Sequence, residues 1–184
     1  MGADKISKRD QILDIAEHGY RQGGFAGLSY RDIAAALDMK SASVHYHFPH
    51  KEDLGKAVVE RYTDNLLDAL GAPDAAAETE ADRLGRLVEA YRAAYTEGES
   101  SCLCAVLGAV SPQLPPAVQE AVNRFFSRLV LWTETALSGA TRATDLKASH
   151  IISALQGAMI LSVAMGDARY LDEVADNLTQ KSST

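Results

Sequence analysis

Apolar residues recur every three or four positions along nearly the whole of this 184-residue chain, and no segment shows the strict alternation of a half-buried strand. That spacing lines one face of a 3.6-residue helix and fits little else. In residues 5–21 the recurring set is Ile12, Ile15, Ala16, Gly19 and Tyr20, and Gly23, Gly24 and Gly27 end the segment. Ser29 is placed as an N-cap with Asp32 three residues on, and Ile33, Ala34 and Leu37 supply the buried face of a short second helix. After the turn Asp38-Met39-Lys40, a third short helix starts near Ser41 and stops before Pro49, because a proline pushes its predecessor out of the helical region. A longer fourth helix opens at His50 or Lys51, where Glu52 and Asp53 suit the positive end of its dipole. Its buried stripe is Leu54, Val58, Tyr62, Leu66 and Leu70.

Residues 71–77, Gly-Ala-Pro-Asp-Ala-Ala-Ala, form the first linker. Beyond it, Leu84, Leu87, Val88, Tyr91 and Tyr95 mark a helix broken at Glu97-Gly98-Glu99, and residues 102–110 read as a short buried helix stopped by Ser111-Pro112 and Pro115-Pro116. Val118, Val122, Phe125, Leu129, Trp132 and Ala136 trace a long helix ending at Ser138-Gly139. A last long helix opens at Asp145 and carries Ile151, Ile152, Leu155, Ala158 and Met159 to Gly166, and residues 170–178 add a short amphipathic piece. The expectation is an all-α protein of about nine helices. Residues 1–50 form a three-helix unit, a fourth helix over 51–71 connects, and residues 72–184 form a second helical domain.

The longest uninterrupted apolar runs, residues 102–110 and 157–161, fall short of the roughly 20 residues of a membrane span, so no segment is expected to cross a bilayer. The N-terminal residues carry mixed charge and no apolar core of a secretion signal. Two cysteines, Cys102 and Cys104, do not make a disulfide framework, and the expected compartment is the cytoplasm. With 18 Lys and Arg against 25 Asp and Glu, the net charge of −7 argues at first against a nucleic-acid partner. The charge is unevenly placed. Residues 1–62 hold nine of each sign and are neutral, and they carry four of the five histidines, His18, His45, His47 and His50. The whole excess of negative charge lies in residues 63–184.

The second and third helices, residues 29–37 and 41–47, have the dimensions of a helix-turn-helix, whose second helix enters the major groove of DNA. Val44 and Phe48 share one face of the third helix, Ala42, Ser43 and Tyr46 point the opposite way, and His45 and His47 flank them. Small side chains at the helix start allow close approach to base edges, while His45, Tyr46 and His47 reach phosphates. Lys51 at the start of the fourth helix pairs an ammonium with free backbone N–H groups, and Ser29, Tyr30 and Arg31 offer a similar grip at the start of the second. The spacing His45-x-His47-x-x-His50 does not make a metal site on a helix, since positions two apart diverge by about 200°.

Residues 28–54, LSYRDIAAALDMKSASVHYHFPHKEDL, resemble the N-terminal domain of the TetR/AcrR family of transcriptional regulators. The shared pattern is Ile33-Ala34, a turn, a small-rich recognition helix, an aromatic pair, then Phe-Pro-x-Lys-x-x-Leu. The resemblance implies a homodimer that binds palindromic double-stranded operator DNA, usually as a repressor, and is released when a small molecule occupies the C-terminal domain. By position it places Ser41, Ala42 and Ser43 near bases and Tyr46, His47 and Lys51 at phosphates or base edges; Lys40, just before the third helix, is a further candidate for DNA contact. Asp38 stands where the family usually has Gly, and His45 where it most often has Tyr. Residues 102–126 look like a subgroup in which a Cys-Leu motif opens the sixth helix.

In the C-terminal half, Tyr91, Tyr95, Cys102, Phe125, Phe126, Trp132 and Met159 are the candidates to line a pocket between helices, with plain core packing as the competing reading. Few charged residues fall on the inward faces, which favours a largely apolar effector. Cys102 and Cys104 raise the alternative of a redox- or electrophile-sensing regulator, with Ser100-Ser101 ahead of them. On a helix the two would point apart, which disfavours a disulfide between them. The small residues Ala154, Gly157, Ala158 and Ser162 among Ile151, Leu155 and Met159 predict a two-fold helical interface, joined by the region 125–137. No catalytic, phosphate-binding or cofactor motif occurs, so an enzyme is not expected and neither is a cofactor. A helical adaptor that binds protein instead of DNA is the remaining alternative.

Overall fold

A computed structural model describes residues 7–76, 78–96, 101–138 and 147–180. Among them are nine α-helices and no strand: α1 (Lys8–Gly23), α2 (Tyr30–Ala36), α3 (Ser41–His47), α4 (Lys51–Leu70), α5 (Glu80–Thr96), α6 (Leu103–Ala109), α7 (Pro116–Leu137), α8 (Ala148–Met165) and α9 (Arg169–Gln180). The expected break at residues 97–99 and the expected helix start at Asp145 lie outside the described residues.

Local chemistry sets the ends. The Ser29 hydroxyl accepts from the Asp32 N–H at 3.3 Å while the Asp32 carboxylate accepts from the Ser29 N–H at 2.8 Å, the reciprocal box expected from the sequence. Thr79 and Asp82 build the same device ahead of α5. The α2–α3 turn closes with Met39 N–H donating to Ala34 C=O at 2.9 Å, and it holds Asp38 at φ 47°, the left-handed region that Asp tolerates better than most residues. Pro116 occupies the first position of α7, where its missing N–H costs nothing.

Helices α1 to α3 close over Ile12, Ala16, Tyr20, Ile33, Val44 and Phe48, and α4 runs from this unit into the body, where α7 is its main partner. Gly55 makes that crossing possible: a Cβ there would sit 2.7 Å from the Phe25 ring and 2.9 Å from Val118. Arg61 of α4 holds α1 through Asp14 at 2.7 Å and Glu17 at 3.3 Å. At its far end α4 stops at Gly71, whose carbonyl accepts from Trp132 Nε1 at 2.7 Å. In the body α8 packs on α5, α7 and α9, and Arg92 of α5 pins α9 through Asp172 and Asp176.

One expectation needs correction. Over all 18 residues α8 has a mean hydropathy of 1.5, long and apolar enough by composition to cross a membrane, although no uninterrupted apolar run is. Counting unbroken runs overlooked it because Ser149, His150, Ser153, Gln156 and Ser162 interrupt the run without lowering the average far. In the structure 44% of that stretch is buried inside the protein, while Ile160, Leu161 and Met165 stay exposed.

Because Asp38 holds a positive φ, Asp38→Val should cost about 1–2 kcal/mol and Asp38→Gly should be neutral or slightly stabilising, as read by urea unfolding. Equal losses for both variants would contradict the left-handed turn.

Candidate nucleic-acid interface and ligand cavity

The outward face of α3 follows from what is buried beneath it. Val44 and Phe48 are enclosed, and the Tyr30 hydroxyl donates to the Phe48 carbonyl at 2.8 Å, tying the start of α2 to the end of α3. Tyr30 is thus 8% exposed, and burial followed by the nearby Asp53 carboxylate pushes its hydroxyl up to about 12. This corrects its expected place at the DNA: at the first turn of a seven-residue helix the ring turns inward, and its polar end finds a protein partner.

The other expected residues share one surface. Arg31, Lys40, Ala42, His45 and Tyr46 are exposed, with Tyr46 at 84%, and Ser41, Ser43 and His47 are half-buried beside them. The Tyr46 and His47 rings meet edge to face at 5.4 Å, and His45 meets the Tyr30 ring at 4.5 Å. Ser29 is exposed, but its hydroxyl is engaged by Asp32 at 2.6 Å, so its role here is capping. Lys51 rests its ammonium 4.7 Å from the centre of the Phe25 ring, and partial burial lowers its pKa while Asp32 opposes that shift. It is held in place, less free to follow a phosphate than the sequence suggests. Arg9 was missed: its guanidinium lies 5.1 Å over the Phe48 ring, which adds a cation beside α3. Only its place three residues before Ile12 hinted at this.

The ligand candidates divide. Tyr91, Cys102, Phe125 and Met159 do meet, around a cavity of about 20 Å³ completed by Tyr62, Leu66, Ala90 and Ala94. Phe126 turns instead into an open groove of about 540 Å³ between α6, α7 and α8. Trp132 lines neither: its indole serves Gly71 and carries Arg86 over its face at 5.8 Å. Tyr95 packs at the margin of the core outside both. Gln156 was missed, since a glutamine among Leu155, Ala158 and Met159 gives no sequence signal for a cavity.

The cysteines also depart from expectation. Cys102 caps α6 in extended backbone, φ −51° and ψ 132°, outside the helix, so the argument that the two side chains diverge does not hold. The thiols interact: hydrogen bonding with Cys104, then with Tyr62, the Ala105 N–H and Gln156, lowers the Cys102 pKa against the effect of burial. Burial and the same contact raise that of Cys104. The Cys102 N–H donates to Met159 Sδ at 3.1 Å. Next to this cluster Arg21 of α1 donates to the carbonyls of Ala94 at 2.7 Å and Ser101 at 3.2 Å, linking the helix-turn-helix unit to the cavity wall.

Residues 12–58 match the family model for bacterial regulatory proteins of the tetR family. A biofilm operon negative transcriptional regulator, IcaR of Staphylococcus epidermidis, is 31% identical over 62 residues, covering 34% of this chain and 34% of its own. The transcriptional repressor KstR2 of Rhodococcus jostii is 32% identical over 62 residues, covering 34% and 30%. The match thus spans about a third of these relatives' length. Whole-chain likeness is structural: a TetR transcriptional regulator from Legionella pneumophila superimposes with a TM-score of 0.90 at 27% identity, over 97% of this chain and 99% of that one. A TetR-family regulator from Agrobacterium tumefaciens gives 0.86 at 25%, over 95% and 96%. Residues 12–58 thus match the N-terminal domain of the TetR family, and the whole chain shares the fold of TetR-family transcriptional regulators.

Removing the Tyr30 hydroxyl should leave the Phe48 carbonyl without its partner. Tyr30→Phe is therefore expected to lower unfolding stability by about 1–2 kcal/mol. Unchanged stability with weakened DNA retention would instead return Tyr30 to the interface.

Proposed function

We propose that this protein is a transcriptional regulator, a repressor that binds palindromic operator DNA in the cytoplasm as a homodimer and is released by a small, largely apolar effector. The observation that carries the reading is α3 itself, anchored by Val44 and Phe48 and presenting Ala42, His45 and Tyr46 to solvent. Residues 1–50, with Lys51 at the start of α4, hold the DNA contacts, the rest of α4 connects, and residues 72–184 bind effector and partner. At the DNA, Ser41, Ala42 and Ser43 approach bases, while Lys40, Tyr46, His47 and Lys51, with Arg31, hold phosphates. Support for a dimer comes from the large apolar side chains left in water: among the described residues they are Tyr46 and four on α7 and α8, namely Leu131, Ile160, Leu161 and Met165. Such a patch marks a contact surface. A two-fold pairing through it sets two copies of α3 to read half-sites about one DNA turn, roughly 34 Å, apart. Arg21 carries the release, because a shift of Ala94 or Ser101 at the cavity moves the helix that supports α3.

The contact between the two thiols favours a second reading, in which a hydroperoxide oxidises them. Cys102 thiolate attacks the peroxide oxygen and becomes a sulfenic acid as an alcohol or water leaves, and Cys104 then displaces water to close a disulfide. Mass spectrometry of peroxide-treated protein would show the bridge, and DNA release that persists in Cys102→Ser would remove this reading.

Footprinting on the promoter beside the gene for this protein should show a protected palindrome. Affinity there should fall at least about tenfold between about 50 and about 200 mM salt, and Tyr46→Ala with Lys51→Ala should weaken it further. An unprotected promoter together with unchanged binding by the double variant would refute the assignment. In sedimentation at micromolar concentration the protein should run as a dimer, and Leu131→Glu with Leu161→Glu as a monomer. A monomeric parent protein would contradict the two-fold interface.

A further inference from the structure

Inside the body three polar atoms are buried without a partner in one place: the amide nitrogen and amide oxygen of Gln156 and the hydroxyl of Tyr91. Gln156 and Tyr91 are 8% and 4% exposed, so water at the surface does not relieve them. The carboxamide faces the Tyr91 hydroxyl and the Cys102 thiol. Tyr91 and Cys102 in turn line the inner cavity of about 20 Å³, with Tyr62, Ala94, Phe125 and Met159 among its other walls. Unpaired buried polar groups are costly, and a leucine and a phenylalanine would fill the same space without that cost. The arrangement points to a polar guest in the cavity.

Size, charge and chemistry narrow the guest. A space of about 20 Å³ has room for one molecule of the bulk of water or slightly more. No Lys, Arg, His, Asp or Glu lines it, so an ion would lose its hydration with no countercharge to replace it. What sets the place apart from a plain hydration site is the thiol in its wall. Hydrogen bonding with Cys104, then with Tyr62, the Ala105 N–H and Gln156, favours the thiolate of Cys102 against burial. The other sulfur in the wall, Met159 Sδ, is already engaged by the Cys102 N–H at 3.1 Å. Hydrogen peroxide is neutral, little larger than water, and carries a donor and an acceptor at each end, so groups that would hold a water also hold it. A hydroperoxide with a branched or aromatic body does not fit.

We propose that the inner cavity admits hydrogen peroxide and delivers it to the Cys102 sulfur, with Gln156 and Tyr91 holding the oxidant. The amide oxygen accepts from one O–H of the peroxide, and the Tyr91 hydroxyl donates to the oxygen that leaves. The sulfur bonds to the nearer oxygen as the O–O bond breaks, and the proton of the Cys102 thiol goes to the departing hydroxide. The products are a sulfenic acid and water: sulfur gives up an electron pair and the peroxide takes it. The modified residue adjoins Ser101, whose carbonyl accepts from Arg21 of α1 at 3.2 Å, so oxidation acts on the helix that packs against α2. The inference rests on the thiol reading under the proposed function and deepens it by naming the oxidant and the groups that select it.

The test is the rate at which Cys102 of the full chain is oxidised by hydrogen peroxide, tert-butyl hydroperoxide and cumene hydroperoxide, with the sulfenic acid trapped by dimedone and located by mass spectrometry. Cys104→Ser, which cannot close a disulfide, keeps the sulfenic acid available to the trap. Hydrogen peroxide should react at least about tenfold faster than either bulky peroxide. Gln156→Leu should slow it about tenfold, with a Tm no lower than that of the parent, and Tyr91→Phe should slow it less. Neither variant should speed the bulky peroxides, as a mere loosening of the fold would. Equal rates for all the peroxides, a hydrogen peroxide rate indifferent to Gln156→Leu, bulky peroxides accelerated by that variant, or oxygen found on Met159 in place of Cys102 would each overturn the proposal. Operator retention followed alongside keeps the two readings apart. Equal rates with DNA released by every peroxide remove the selection and leave the thiol reading, whereas the expected ranking with DNA still bound removes the thiol reading as regulation and leaves the site.

Discussion

The burial of Val44 and Phe48 under α1 and α2 decides which side of α3 meets solvent, and the DNA-facing surface exists only because of that choice. A seven-residue helix has little stability of its own. It is fixed from three directions: by its two apolar anchors, by the Tyr30 hydroxyl on the Phe48 carbonyl, and by a turn closed through Asp38. The face left over carries small residues at its start, and aromatic and imidazole groups further along.

The same economy places the connection between the two halves. α4 passes between Phe25 and Val118 at a glycine, so these two side chains pack directly on its backbone, and Arg61 and Arg21 fasten α1 to α4 and to the cavity wall. The negative charge of the chain belongs to the body, residues 63–184, which in the proposed regulator would limit non-specific attraction to phosphate. The neutral N-terminal unit carries Arg31, Lys40 and Lys51, with Arg9 nearby, a modest set of cations that fits the proposed reliance on two copies of α3.

Much of this was legible in the sequence, where a local rule fixes the outcome. The Ser29–Asp32 box, the anchors Val44 and Phe48 and the order of the helices all follow from periodicity and capping chemistry, whereas Asp38 was marked only by standing where the resembled family usually has Gly. What failed depended on a side chain's distant partner. Tyr30 looked free because its acceptor lies 18 residues away. Trp132 looked like a pocket residue because nothing in its own helix shows that its indole closes α4. The cysteines were placed on one helix, when the backbone of Cys102 is extended and turns its thiol toward Cys104. Gln156 was invisible for the opposite reason, a polar residue in an apolar stripe whose meaning appears only with the cavities on both sides of it.

Hydrogen–deuterium exchange with and without a duplex from the promoter beside the gene for this protein locates the contact surface directly. Slowed exchange concentrated in residues 29–51, with the α3 amides most affected, is the predicted result. Slowing confined to α5 through α9, or none at saturating duplex, would contradict a recognition surface built on α3.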